Sequence, residues 1–204
     1  MTLLSTAYLP SVYYMAWVAQ HDVVTIEHHE TFPKQTFRNR AVIATGNGLQ
    51  TLTVPIIHAE GNHTRTEDIG VSYHEPWNIR HFRAIVTAYN AAPYFLYYRD
   101  GIERLMMQRY DRLVALNDAL LSHLMKKMKI NTQVDYSTDF LPKTEPDLRD
   151  TLTDKHSIDA FSLPPYSQVF DTRFGFQGNL SVLDLLFNLG PEAHDYLMNV
   201  TLEG

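Results

Sequence analysis

The chain has 204 residues, 45% of them apolar and 12% aromatic, enough for one sizeable core, and this composition excludes disorder over most of it. Seventeen Lys and Arg against 23 Asp and Glu leave a formal charge of -6, so no whole-protein field recruits DNA or an anionic lipid surface, and any anion site has to be local. The absence of cysteine excludes a disulfide scaffold, thiolate metal sites and cysteine nucleophiles, and is compatible with a reducing compartment.

The first twenty residues carry no charged side chain, yet Pro10 sits at their centre, Ser5, Thr6, Ser11 and three tyrosines dilute the apolarity, and no Lys or Arg precedes them. The expectation is a soluble, uncleaved N-terminus of a cytoplasmic protein with no membrane insertion. It opens with a buried strand at Leu3 to Ala7, a turn at Tyr8-Leu9-Pro10, a helix from Ser11 to Gln20 capped by Ser11, and a strand at Val23 to Ile26. That is a βαβ opening, whose carboxyl strand ends commonly carry ligand sites.

Residues Phe37 to Thr45 alternate, Gly46-Asn47-Gly48 signals a turn, and Leu49 to Ile57 resumes with Leu52, Val54 and Ile56 on one face, which predicts a β-hairpin. A polar loop follows from His58 to Gly70, and a helix is expected over Trp77 to Tyr89, with Pro76 in its first turn and Pro93 beyond its end. Leu105, Leu113, Leu116, Leu120, Leu121, Leu124 and Met128 then predict one long helix. Lys126, Lys127 and Lys129 at its negative end suit a solvated terminus better than a nucleic-acid patch. Ile130 to Tyr136 reads as another strand after a second crossover. The polar stretch 138–163, with a short helix near Asp147 to Leu152, is expected to be a weakly packed connection. Asn179 or Ser181 caps a helix through Phe187, Gly190 closes it in the left-handed conformation, and Pro191-Glu192 opens a last short helix.

No common phosphate, metal or nucleophile motif is present, and no cofactor or metal enters the reading. The densest polar constellation is EHHETFPKQTFRNR, from Glu27 to Arg40. With Phe37 to Ile43 extended, Arg38 and Arg40 project from one face about 6.5–7 Å apart at Cα. Two guanidiniums so placed, with Lys34 adding a third charge, can converge on a diphosphate. The alternative is a solvated edge strand blunted by cations. His28 and His29 are strand neighbours pointing to opposite faces, which disfavours chelation of one ion, while a single histidine or Glu30 can serve as a general base. His81 shares a helix face with Trp77 and Ile85, so it is either a hydrogen-bonded core histidine or a histidine facing a site.

Three blocks carry a family resemblance: AYLPSVYYMAWVAQHDVV; FPKQTFRNRAVI followed by LTVPI; and PPYSQVF with NLSVLDLLFNLGPE. Together with Trp77, His81 and Ala91 to Tyr94 they resemble the WbqC-like protein family over nearly the whole chain. Thr6-Ala7 and His28-His29 stand where the family pattern has proline and acidic residues. Association of the family name with polysaccharide and O-antigen gene clusters implies a transferase handling nucleotide-linked sugars. The matching positions include Tyr8, Lys34, Asn39, Arg40, His81, Tyr166, Gln168, Phe170, Asp184 and Asn188. Tyr166 and Phe170 can act as stacking walls with Gln168 as the polar contact between them. Asp184 and Asn188 share a helix face, and Asp184 is alternatively an ion-pair partner for Arg38 or Arg40.

The expected protein is a single α/β domain over 1–204, with a mostly parallel sheet, a βαβ opening, a hairpin and flanking helices. Its expected partner is a phosphorylated or nucleotide-linked small molecule rather than nucleic acid. Lys34, Arg38 and Arg40 would neutralise the leaving group, Asn39 would orient substrate, and His29, His81 or Glu30 would take a proton. The alternative is a non-catalytic, protein-binding component of an envelope or polysaccharide assembly, motivated by the aromatic stretch Tyr94, Phe95, Tyr97 and Tyr98.

Overall fold

The computed structural model describes residues 2–33, 36–59, 61–150 and 163–202. Strand β1 (Thr2–Ser5), helix α1 (Val12–Ala19) and strand β2 (Val23–Glu27) form the βαβ opening, β1 and β2 pairing in parallel from Thr2 opposite Val24 to Ser5 opposite Glu27. Ser11 Oγ caps α1 by accepting from Tyr14 N at 3.3 Å, and Asn179 Oδ1 takes the neighbouring Tyr13 N–H at 3.0 Å. Every residue from Val12 to Val18 is buried, so α1 is a core helix rather than an amphipathic one, which also explains the charge-free N-terminal stretch. Among the described residues no helix is long and apolar enough to cross a membrane.

The hairpin is shorter than expected. Strands β3 (Arg40–Thr45) and β4 (Gly48–Thr53) pair antiparallel, with Gly48 at φ 103 in the turn. Residues 36–39 form a turn, closed by Asn39 N–H to Thr36 O at 3.4 Å, so Arg38 does not share a strand face with Arg40 and the side-by-side geometry expected for the pair is absent. Ile56–Ile57, expected to extend β4, instead forms β5 and pairs with β6 (Gly70–Val71).

Helix α2 (Trp77–Tyr89) lies where its spacing places it. The single long helix does not form; α3 (Phe95–Met107) and α4 (Leu113–Lys127) are separate. The chain between them is extended and its backbone is paired elsewhere: Val71 N–H donates to Asp111 O at 3.1 Å, and Leu113 N–H donates to Ile69 O at 2.9 Å. Leucine periodicity could not report this break, because both helices turn the same apolar stripe to one core.

Strand β7 (Gln133–Tyr136) adds to β2 in parallel, giving the sheet order β1-β2-β7. Beyond it, residues 138–150 cross back to the outer side of β1, where Leu3 N–H donates to Pro146 O at 3.1 Å and Leu148 N–H donates to Leu3 O at 2.9 Å. Asp147 therefore forms a bridge with Leu3 instead of opening the expected short helix, and 151–162 lie outside the described residues. Helices α5 (Asp171–Phe174), α6 (Val182–Leu189) and α7 (Ala193–Met198) complete the chain. Ser181 caps α6 and Gly190, at φ 55, ends it. The result is an α/β fold whose parallel sheet directs its carboxyl edge at the residues following Ser5, Glu27 and Tyr136.

Candidate functional site at the carboxyl edge of the sheet

Buried charge concentrates where β2 ends. Glu27 is fully buried; its Oε1 accepts from His29 N–H at 2.7 Å and from the Ser137 hydroxyl at 2.8 Å, and its Oε2 accepts from Leu141 N–H at 2.7 Å. Arg149 approaches the same carboxylate at 3.6 Å and is held by Asp147 at 2.6 Å and by Leu141 O at 3.0 Å. Glu27 and Arg149 thus fasten the 137–149 crossing to the sheet edge, because a buried carboxylate requires this density of donors.

Arg38, 1% exposed, donates from Nε to Glu30 Oε1 at 2.7 Å, while its Nη2 forms an ion pair with the same oxygen at 2.7 Å and donates to Arg149 O at 3.3 Å. Burial still holds the Glu30 carboxyl above its usual range, with Arg38 opposing that shift. The Arg38 guanidinium is therefore committed to an internal carboxylate and does not face an incoming phosphate. Asn39, assigned to orient substrate, is buried with its amide donating to Val54 O at 3.0 Å, which fixes the exit of β4. Arg40 begins β3 opposite Thr53, and Lys34 lies outside the described residues.

The two adjacent histidines diverge. His29 Nδ1 is 2.9 Å from Glu67 and Nε2 is 3.0 Å from Ser137 O, so both ring nitrogens are engaged and neither is left for a substrate proton. His28 Nε2 instead faces Asp118 Oδ1 on α4 at 3.6 Å, and its ring centroid lies 5.0 Å from that of Tyr136. That separation exceeds hydrogen-bonding distance, and neither atom has a hydrogen-bond partner among the described residues although both are buried. The Tyr136 phenol is raised to about 12, by burial first and by the Asp118 charge second. On α4, Asn117 is 1% exposed and donates to Thr6 Oγ1 at 3.0 Å and Arg38 O at 2.8 Å.

The remaining expected site residues form two further clusters. Tyr8 is buried and its hydroxyl donates to His81 Nδ1 at 3.0 Å, beside Trp77. Burial, with Arg80 adding to it, lowers the His81 pKa to about 4, so the ring is neutral. In the third cluster Asp184 is 1% exposed and accepts from the Tyr166 hydroxyl and from Gln168 Nε2, both at 2.7 Å. Burial raises its carboxyl. Gln168 also pairs with the Gln177 backbone in both directions, Asn188 donates to Asp184 O at 2.8 Å, and Phe170 packs on Val42, Ala44 and Leu180. Tyr166 is stacked edge-on against Phe176 and Tyr196. Tyr166 and Phe170 are thus packed walls of a hydrogen-bonded core, and the Asp184 carboxylate is bonded to Tyr166 and Gln168 while Arg38 pairs with Glu30.

Sequence reasoning includes Glu27 in the polar run that ends β2 but passes over Asn117, Asp118, Tyr136 and Arg149 as members of this edge. One signal was present. Asn117 interrupts the stripe Leu113, Leu116, Leu120 and Leu124 with a polar side chain, which marks a hydrogen-bonded point in an otherwise apolar face. Among the described residues, no group of three His, Asp or Glu is arranged to hold a metal ion. A cavity of about 390 Å3 runs between α4 and β7, lined by Leu121, Ser122, Met125, Lys126, Ile130, Asn131, Thr132, Val134 and Tyr136.

A parallel sheet whose carboxyl edge gathers buried ionisable groups from β2, α4 and the chain after β7 defines the class of the fold as α/β. The chain belongs to the WbqC-like protein family, which matches residues 6–162. The PPYSQVF and NLSVLDLLFNLGPE blocks lie beyond the matched residues. A Mycobacterium tuberculosis (strain ATCC 25618 / H37Rv) protein described as Uncharacterized protein Rv1507c is 27% identical, over 96% of this chain and 96% of its own length. No solved structure matches the chain.

Proposed function

We propose that the protein is a group-transfer enzyme acting on a nucleotide-linked sugar or a related phosphorylated donor, in biosynthesis of the polysaccharide or O-antigen type. The supporting observation is the set of ionisable groups at the carboxyl edge of the parallel sheet, bordered by the α4–β7 cavity with Lys126 on its wall. Buried charge is costly to maintain, and in α/β folds this edge is where ligands bind. The Glu30–Arg38 and Glu27–Arg149 pairs serve as the rigid support of the site, and its ligand-facing part lies toward His28, Asp118 and Tyr136. Association of the family name with sugar-polymer gene clusters supports the donor class.

Thermal-shift measurements against nucleotides, nucleotide sugars, acyl-CoA and divalent metals test this reading: nucleotide sugars should raise the melting temperature in a concentration-dependent way. A flat response to every nucleotide and nucleotide sugar overturns it. A second reading, a non-catalytic protein-binding component, draws support from Leu96 and Tyr97, 69% and 78% exposed on α3. A melting temperature indifferent to the whole panel would favour it.

A further inference from the structure

The parallel sheet has two edges, and the chain pairs with only one of them among the described residues. On the outer side of β1, Leu3 is bonded to Pro146 and Leu148, and Asp147 forms a bridge there. Beside β7 the described residues place no strand. Gln133 N–H donates to Asp22 O at 2.9 Å and Ser137 N–H donates to Ile26 O at 3.0 Å, so the odd-numbered residues of β7 turn their backbone groups toward β2. By alternation, the N–H and C=O groups of Val134 and Tyr136 point away from β2, into the open edge.

Proteins commonly blunt such an edge with lysine, proline or a bulge. β7 has neither lysine nor proline, and its register with β2 runs unbroken from Gln133 to Tyr136. Thr132, Val134 and Tyr136 are β-favouring residues on one face, the face that lines the α4–β7 cavity, and Tyr136 is 43% exposed. The one charged side chain of the strand, Asp135, lies on the other face and accepts from Gln133 Nε2 at 2.8 Å.

This edge is complementary to itself. For two copies of β7 related by a two-fold axis, hydrogen-bonded pairs form only between outward-facing residues. An axis centred on Val134 sets Val134 opposite Val134 of the second copy and Thr132 opposite its Tyr136, so the whole stretch from Thr132 to Tyr136 is paired. It also sets Gln133 opposite Asp135, which gives each carboxylate an amide donor on both strands. An axis centred on Asp135 instead brings two carboxylates together at the closest cross-strand spacing, where like charges repel. Registers further along leave part of the strand unpaired. Because Leu3 is already bonded on the outer side of β1, pairing at β7 does not propagate, and association closes at two copies.

We propose that a second copy of this chain docks antiparallel on β7 in the register centred on Val134, joining two three-stranded sheets into one. Tyr136 of the second copy then stands opposite Thr132, on the open side of the α4–β7 cavity, so each cavity gains a wall from the other copy. The pairing itself is independent of the transferase reading, whereas the role of that second tyrosine as a wall of the donor site rests on it.

Sedimentation equilibrium of the full chain at micromolar concentration should give twice the chain mass of 23.5 kDa. Val134→Pro removes an N–H that β2 does not use, so it should weaken the dimer at least about tenfold while circular dichroism reports a retained fold. The chain has no cysteine, so Val134→Cys and Tyr136→Cys each carry a single thiol. In the proposed register the two Val134 Cα atoms lie about 5.5 Å apart and the two Tyr136 Cα atoms about 14 Å apart. A thiol cross-linker too short for the second distance should join copies of Val134→Cys and leave those of Tyr136→Cys single. A chain that stays monomeric, a dimer untouched by Val134→Pro, or cross-linking that favours Tyr136→Cys overturns the proposal. A dimer that binds no nucleotide sugar upholds the pairing and defeats the transferase reading alone, and a monomer that binds UDP-glucose does the reverse.

Discussion

Acidification should expose His81 as a built-in source of instability. Its ring accepts from the Tyr8 hydroxyl, whose pKa burial pushes far above the usual phenol range, so Tyr8 remains the donor throughout the accessible pH range. The other ring nitrogen then donates to the Thr53 backbone carbonyl. Protonating Nδ1 would set a donor against a donor inside the core. Because the folded-state pKa of about 4 lies below the ordinary 6.5, the unfolded chain takes the proton first, and stability is lost as pH falls from about 6.5 toward 4. That difference corresponds to about 3 kcal/mol, a large fraction of the stability of an ordinary domain. Urea denaturation of the wild type and of His81→Gln, run at intervals from pH 7 to pH 4, reads the effect. The wild type should lose about 3 kcal/mol more than the variant over this range, even where the variant starts out less stable at pH 7. Parallel stability curves for the two proteins would refute the assignment of a neutral, Tyr8-bonded ring.

Three other outcomes follow from the buried polar clusters and from one turn. Arg38→Met should cost about 3–5 kcal/mol in urea unfolding, because it strands Glu30 in the core, and the double variant Arg38→Met/Glu30→Met should recover part of that loss. Asp184→Asn should become more stable relative to wild type as pH rises through the carboxylate range: the raised folded pKa means wild-type stability is greatest with the proton on and declines as that proton leaves. Equal pH profiles in thermal unfolding would contradict this. Gly190→Ala should lower the melting temperature, since φ is 55 there and an added Cβ would meet the Tyr94 ring at 2.5 Å, with an expected cost above 1 kcal/mol.

Local patterns were legible where local chemistry decides. Ser11 and Ser181 cap the helices their positions suggest, α2 spans the residues its apolar spacing marks, and the Gly46 to Gly48 turn joins β3 to β4. Tertiary pairing decided the remainder. The break at 108–112 follows from backbone bonds to the chain at 69–71, and the turn at 36–39 keeps Arg38 off the strand that would have aimed it beside Arg40. For the site, the EHHE run correctly marked the sheet's carboxyl edge as charged, but which charges neutralise one another is set by partners more than one hundred residues away, as with Glu27 and Ser137, Leu141 or Arg149. Asp118 was hidden for a related reason: on its helix it resembles the solvated residues around it, and only the approach of β2 gives it His28 as a neighbour.

The position of the ligand is the point on which the functional account turns. Backbone amide shifts of the isotopically labelled protein, recorded during titration with UDP-glucose, should change most over Leu121 to Lys126 and over Ile130 to Tyr136, the two walls of the α4–β7 cavity. Shifts concentrated instead on the β3 start at Arg40, or on the exposed face of α3, would contradict it.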